Sequence, residues 1–382
     1  MTVAHPSTIA EARSAILAGG SDALLFQGTA TKSDWGGQPE RVDLTVDTRG
    51  MDRLLDHNPG DFTAVVEAGM RMEVLQAALA AEGQWFAADV FGGTVGGVVA
   101  TSDFGPRRLR YGPVRNVILG MTVLLGDGTI ARTGGRVIKN VAGYDLSKVF
   151  CGSFGTLGMI GEVVLRLHPV PQRSCTVVIE ATVAMGLRIT LELLRAPIEP
   201  SAVDWADGAL HIRLEGDSRL RGQKDVVTAV VRRNGLGYEV MDGVEESSRW
   251  RQMIAASTGA DGDTVAVVAS LPSQMVFVHD SLHRTAEATG VDVAVHSLTA
   301  VGLHIARVRG GDASEHAAVV TGWRRQLATE GALVSLRRQT PGLKALVDSW
   351  GPPPAGLEAM RRLKQSLDPG RRCAPGRFVG GL

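Results

Sequence analysis

The chain has 382 residues, 44% of them hydrophobic and 21% charged, which is enough apolar material for two domains or one large one. Its 40 basic residues balance its 40 acidic ones, so the basic excess expected of a nucleic-acid binder is absent. Three well-separated cysteines, Cys151, Cys175 and Cys373, have no paired spacing for a zinc or iron–sulfur centre and no even set for a disulfide framework. A reducing, cytoplasmic setting is therefore expected. The N-terminal segment lacks the basic-then-apolar pattern of a signal peptide. No apolar run approaches the roughly 20 residues needed to cross a bilayer, so membrane contact is expected only through a partner.

In chain order, Pro6-Ser7-Thr8 before IAEARSAILAGG predicts a capped helix that stops at glycine. ALLFQG reads as a short buried strand running into the small-residue loop Gly28–Lys32. VDLTVDT alternates as a strand does. FTAVVEAG is another strand, and MRMEVLQAALAAEG is an amphipathic helix with a glycine stop. From Gly92 to Gly161 glycine becomes dense. There VILGMTVLLGDGTIAR predicts a hairpin turning at Asp127-Gly128, and MIGEVVLRLHPVP alternates up to two closely spaced prolines. Beyond Pro171, CTVVIEAT, LHIRLEG and TVAVVASLP are expected strands and DVVTAVVRRNG a helix. Trp350-Gly351-Pro352-Pro353-Pro354 reads as a linker. LEAMRRLKQSLDP is a last helix before a glycine- and proline-rich tail. No internal repeat is visible.

Three segments carry chemistry. The loop Gly28-Thr29-Ala30-Thr31-Lys32 is small enough to aim backbone N–H groups at a phosphate, though alone it reads equally as a strand-end turn. Gly92-Gly93-Thr94-Val95-Gly96-Gly97 lets backbone lie against a flat ligand. It lacks the spacing and the following acidic residue of a dinucleotide fingerprint. The block Gly134–Pro171 packs Lys139, Asn140, Tyr144, Asp145 and Lys148 among glycines and then continues as GSFGTLG. Glycine at this density costs conformational entropy, which points to backbone wanted close to something.

Read in order, GGTVGGVVATSDFGPRRLRYGPVRNVILG, KNVAGYDLSK and GTLGMIGEVVLRLHPVP resemble the FAD-binding domain of the vanillyl-alcohol-oxidase family. Within that family the chain is similar to the FAD-binding subunits of bacterial glycolate oxidases. The resemblance covers most of residues 1–171 and returns in LHIRLEG and LKQSLDPGRRCAPGRF. It implies an α+β fold: a PCMH-type FAD-binding domain over 1–171, in subdomains of about 1–60 and 61–171, with a mainly antiparallel α+β cap over 172–350. Residues 351–382 would return to the FAD domain. Carried over, it makes Gly28, Thr29, Ala30, Thr31 and Lys32 the pyrophosphate cradle. Gly93, Thr94, Val95, Gly96 and Gly97 would line pyrophosphate, ribityl and flavin, and Ser102, Gly105, Tyr111 and Gly112 would continue that wall. Gly155, Thr156, Gly158, Met159 and Ile160 would lie near the adenosine, and Arg377 in the returning tail. Thr29 and Ala30 stand where the family often has glycines, and Ala374 where it often has asparagine. No histidine lies in the first loop or beside Tyr111 in sequence, so the FAD is expected to dissociate.

Oxidising a 2-hydroxy acid needs a cation for the carboxylate, a base for the hydroxyl proton and the C2 hydrogen facing the flavin. HSLTAVGLHIAR, His296 to Arg307, keeps His296, Gly302 and His304 of the family's metal-and-base run but lacks its acidic residue and asparagine. Oxygen ligands for a divalent metal are missing, and no metal is expected. His296, His304 and Tyr111 remain candidate bases, with Arg108, Arg110 or Arg307 as carboxylate clamp, and a histidine on a strand is also an ordinary core residue. Three readings follow: the FAD-binding subunit of a glycolate oxidase-like complex, whose catalytic FAD subunit and iron–sulfur subunit are separate chains; a self-sufficient 2-hydroxy-acid dehydrogenase; and a scaffold that keeps the flavin fold without redox function.

Overall fold

The computed structural model describes residues 2–90, 92–136 and 145–382. Lys139, Asn140 and Tyr144, singled out above, lie outside the described residues. The chain divides into two compact units. One comprises Met1–Gly105, Tyr111–Val170 and Pro352–Leu382, the other Pro106–Arg110 and Pro171–Gly351.

The first unit opens with β1 (Thr2–Ala4), α1 (Ile9–Ala18), β2 (Leu24–Gln27) and β3 (Leu44–Asp47), whose strands form a parallel sheet in the order β1-β3-β2. The α1 start is written in its sequence: Thr8 Oγ1 accepts from the Glu11 N–H at 3.2 Å, and the Glu11 carboxylate accepts from the Ser7 N–H at 2.8 Å. Ala12 and Ile16 on its inner face are fully buried against Leu24, Val46 and Met159. β3, expected to alternate, is buried along its whole length because it is the central strand of a covered parallel sheet.

Next come β4 (Leu54–Asn58), β5 (Thr63–Glu67), α2 (Met72–Ala80), β6 (Gln84–Trp85) and α3 (Val95–Thr101), and then the single turn α4 (Arg108–Tyr111), of which all but Tyr111 is counted with the second unit. β7 (Ile118–Leu124), β8 (Ile130–Gly134), α5 (Ser147–Phe150), β9 (Met159–Arg166) and β10 (His168–Pro169) follow. Five strands form an antiparallel sheet ordered β4-β5-β9-β7-β8, and β6 pairs with β10. The β7–β8 hairpin turns where expected, with Gly128 at φ +86° and Asp127 Oδ1 accepting from Thr129 N–H at 2.8 Å. Met72, Leu75 and Leu79 of α2 and Val95, Val98 and Val99 of α3 pack on Val66, Val163 and Leu165 of this sheet. The i, i+3, i+4 spacing of the α3 valines is what folds a glycine-rich stretch into a helix.

The second unit contains β11 (Arg173–Glu180), α6 (Val183–Leu193), β12 (Ala202–Ala206), β13 (Ala209–Gly216), α7 (Leu220–Arg233) and β14 (Glu239–Asp242). After α8 (Gly243–Thr258) the same succession recurs: β15 (Thr264–Ala269), α9 (Met275–Thr289), β16 (Asp292–Leu298), β17 (Leu303–Arg309), α10 (Ala313–Leu327) and β18 (Leu333–Arg338). Each half is a β-α-β-β-α-β unit. The eight strands form one antiparallel sheet, β14-β11-β13-β12-β16-β17-β15-β18, in which the second half mirrors the first. So the unit is an internal repeat in structure, although none is visible in sequence. The halves meet through β12 and β16 in a ladder of two residue pairs, Asp204 with Leu298 and Trp205 with Ser297. The chain then returns to the first unit with α11 (Leu357–Leu367).

Candidate functional site

The first unit holds an open cleft. β2 leads straight into it, and Gly28, Thr29, Ala30, Thr31 and Lys32 form one wall. Thr94, Gly96 and Gly97 form a second, Gly155, Gly158, Met159 and Ile160 a third, and Arg377 enters from the far end of the chain. Glycine is required here by close approach. A Cβ on Gly28 would lie 2.4 Å from Thr94 Oγ1, and one on Gly96 would lie 2.7 Å from Ala68 Cβ. Thr94 is itself committed, since its hydroxyl accepts from the Gly97 N–H at 3.2 Å and caps α3.

The other expected residues are placed differently. Val95 is fully buried on the packed face of α3. Gly93 lies behind Lys32, where a Cβ would come within 2.9 Å of Nζ. Gly105 is pressed against the Asp89 carbonyl, and Ser102 and Gly112 occupy left-handed conformations at turns. Thr156 is buried, its hydroxyl donating to the Ser153 carbonyl at 2.7 Å. Tyr111 stacks edge-on between Trp85 and His168, with ring centroids 5.1 and 4.9 Å away. A histidine therefore does neighbour Tyr111 in space, brought there by the pairing of β10 with β6. Sequence reasoning missed Phe26, Thr48, Ala68 and Phe154 as cleft residues. Phe26 follows from its place at the end of β2, whereas Thr48 and Ala68 have no local signal.

Two cations line this wall. Lys32 is nearly buried, with Nζ 3.4 Å from Asp103 Oδ2, and Arg377 is 8% exposed with its guanidinium over the Phe154 ring at 5.9 Å. Burial pushes the Arg377 pKa down, which means that an anion nearby would be welcome to it. Backbone that can approach closely, together with two cations, fits a ligand carrying a pyrophosphate. Among the described residues lining the cleft there is neither histidine nor cysteine.

In the second unit His296 and Arg307 sit on the sheet face that α8 covers. His296 Nε2 lies 2.7 Å from Asp204 Oδ2, and its Nδ1 2.6 Å from Ser257 Oγ on α8. Arg307 donates to Asp263 at 2.6 Å and to the Ala256 carbonyl at the end of α8. His304 is fully buried. Its Nδ1 shares the Ser297 hydroxyl with His279 Nε2, at 2.8 and 2.7 Å, and its Nε2 meets Ser270 Oγ at 3.0 Å. Burial pushes the His304 pKa down to about 4. Arg110 donates to the Glu199 carbonyl at 3.1 Å, and Arg108 lies on α4. The structure thus brings His296, His304 and Arg307 into one sheet, each with internal partners. Among the described residues no group of three or more His, Cys, Asp or Glu side chains is arranged to hold a metal ion, and no helix is long and apolar enough to cross a membrane.

Residues 2–134 match the FAD binding domain family. The chain carries an FAD binding domain. It is similar to proteins named as glycolate oxidase subunits and D-lactate dehydrogenases. It is 34% identical over 197 residues to glycolate oxidase subunit GlcE of Escherichia coli (strain K12), a match spanning 50% of this chain and little over half, 56%, of that subunit. It is 26% identical over 407 residues to a probable mitochondrial D-lactate dehydrogenase of Danio rerio, covering 92% of this chain and 78% of that protein. Among solved structures it resembles an alkyldihydroxyacetonephosphate synthase, with a TM-score of 0.73 and 15% identity, over 98% of this chain and 76% of that one. At that identity the likeness is one of fold, and it confirms the α+β, PCMH-type architecture.

Proposed function

We propose that this chain is the FAD-binding subunit of a cytoplasmic, glycolate oxidase-like complex that oxidises 2-hydroxy acids such as glycolate to glyoxylate. A catalytic FAD subunit and an iron–sulfur subunit would be its partners. The observation that carries the reading is the pairing of a glycine-walled cleft, with its two cations, and a second unit whose expected substrate groups are spent internally. In this reading the backbone of Gly28–Lys32 and of Gly96–Gly97 holds the cofactor, and Arg377 answers the charge of its pyrophosphate while Lys32 stays paired with Asp103. When bound, FAD would supply a redox centre through which electrons from substrate oxidation on the partner chain pass. Met159 and Ile160 exclude water from one wall. His296 and Arg307 hold α8 to the sheet, which leaves the proton transfer and the carboxylate clamp to the partner chain.

A second reading, a self-sufficient 2-hydroxy-acid dehydrogenase, is favoured by the similarity to D-lactate dehydrogenases along nearly the whole chain. Anaerobic mixing of the purified chain with glycolate or D-lactate separates the two. The subunit reading expects a yellow protein whose flavin absorbance persists with substrate and bleaches only after the copurifying partners are added. Rapid bleaching of the lone chain would overturn it.

A further inference from the structure

The FAD domain family matches residues 2–134, but the cleft is completed by residues much further along the chain. The C-terminal segment reaches it by adding to the free edge of β2. The Leu24 N–H donates to the Arg372 carbonyl at 2.7 Å and the Ala374 N–H to the Leu24 carbonyl at 2.8 Å, so Cys373 lies beside Leu24 as a short parallel strand. The tail then runs along the loop that β2 feeds. Pro375 O accepts from the Glu40 N–H at 2.8 Å, and Arg377 O from the Gly37 N–H at 3.1 Å. A Cβ on Gly37 would stand 2.8 Å from that same Arg377 oxygen, so the loop and tail backbones are in direct contact.

Lys364 on α11 is the knot. It is 4% exposed, and its Nζ donates to Asp368 Oδ2 at 2.6 Å, to Cys373 O at 2.9 Å and to Thr156 O at 2.6 Å. Thr156 stands in the Gly155–Gly158 turn that forms the third wall of the cleft. One ammonium therefore joins that wall to the tail. Asp368 in turn accepts from the backbone N–H groups of Arg372 and Cys373. Against this stand costs. Arg371 and Ala374 are held at φ +48° and +39°, in a region that L residues avoid, and the Arg377 guanidinium, which donates to the Ser33 carbonyl at 3.4 Å, is buried.

We propose that the C-terminal segment is a latch whose docking is coupled to FAD binding, with Arg377 as its contact in the cleft and Lys364 as its positioning residue. The inference rests on the FAD reading of the cleft. An anionic cofactor that meets Arg377 only when the tail is docked shifts the chain toward the docked state. By reciprocity, anything that loosens the tail weakens FAD. Apparent affinity falls in proportion to the docked fraction.

The test uses the full chain stripped of flavin and titrated with FAD by fluorescence quenching, with hydrogen exchange read at the Ala374 and Arg377 amides. FAD is expected to slow exchange at both amides about tenfold or more. Arg377→Met is expected to weaken FAD by at least about tenfold, the loss of one charge-assisted contact, and Arg377→Lys by less. Lys364→Met, which removes no group from the cleft, is expected to weaken FAD and to speed exchange in the tail. Should that variant fail to fold by circular dichroism, Arg377→Met and the wild-type exchange carry the test. A wild-type chain that takes up no FAD overturns the cofactor reading and the latch with it. Uptake of FAD with unchanged tail exchange, or with Arg377→Met binding like wild type, overturns the latch alone.

Discussion

Lowering the pH should unfold the second unit well before its carboxylates are neutralised. Three histidines there are held neutral. Burial pushes His211 from its ordinary 6.5 to about 4, helped by the nearby Arg249 and His296. Burial pushes His279 to about 3, with His304 and His283 adding repulsion, and it alone pushes His304 to about 4. In the unfolded chain each takes up a proton below about 6.5. In the folded chain each resists it, so the stability present above 6.5 is lost as pH falls towards the folded values. By linkage each histidine costs about 2 kcal/mol at pH 5, so the three together cost about 6 kcal/mol, close to the whole stability of a typical domain. The slope between the two limits is about 4 kcal/mol per pH unit. The structure says why the folded side cannot adapt. Among the described residues His279 Nδ1 has no hydrogen-bond partner, and a proton placed there would be a buried, unanswered donor. Urea unfolding at pH 7 and pH 5, followed by tryptophan fluorescence, measures the loss. His279→Gln and His304→Gln should each flatten the pH dependence by about one proton. A wild-type stability that differs by less than about 1 kcal/mol between the two pH values would refute the reasoning.

Three further outcomes are expected. Gly96→Val places a side chain against Ala68, so it should abolish flavin binding and cost about 1–3 kcal/mol from overpacking, read as absorbance at purification and as melting temperature. Asp204→Asn removes the charged partner of His296 across the β12–β16 seam and should lower the melting temperature. In the assembled complex it should leave the rate of flavin reduction by substrate within about threefold, where a tenfold or larger loss would return His296 to the catalytic machinery. Trp323→Ala empties a fully buried site between α9 and α10, where Nε1 also donates to the Leu282 carbonyl at 3.1 Å. Its cost should be about 3–5 kcal/mol in urea unfolding.

Local chemistry was legible in the sequence, and long-range pairing was not. Thr8 and Glu11 announce α1, and Asp127-Gly128 announces a hairpin, because each signal lies within four residues of what it controls. The glycine loops reveal a backbone that something must approach, yet they misplace Val95, whose helical spacing to Val98 and Val99 buries it. β4 escaped notice because Asp56, His57 and Asn58 look like a turn and become a strand only through β5. α10 was within reach, since Asp312 and Glu315 form a capping box. The duplicated halves of the second unit could not be read at all, because the same topology is built from dissimilar residues. His296 and Arg307 looked available because nothing in the sequence tells which surface α8 will cover.

The seam between those halves has a consequence for how the second unit comes apart. Each half closes its own hairpins and helices from residues near one another in the chain, so each can form early. Only two residue pairs of backbone ladder stitch them, with α8 as a strap from one to the other. The β12 and β16 amides should then be the first core-strand protons to exchange, while β13 and β17, whose ladders to both neighbours run five residue pairs or more, hold theirs longest. Local opening of this sheet is therefore expected to begin at the seam.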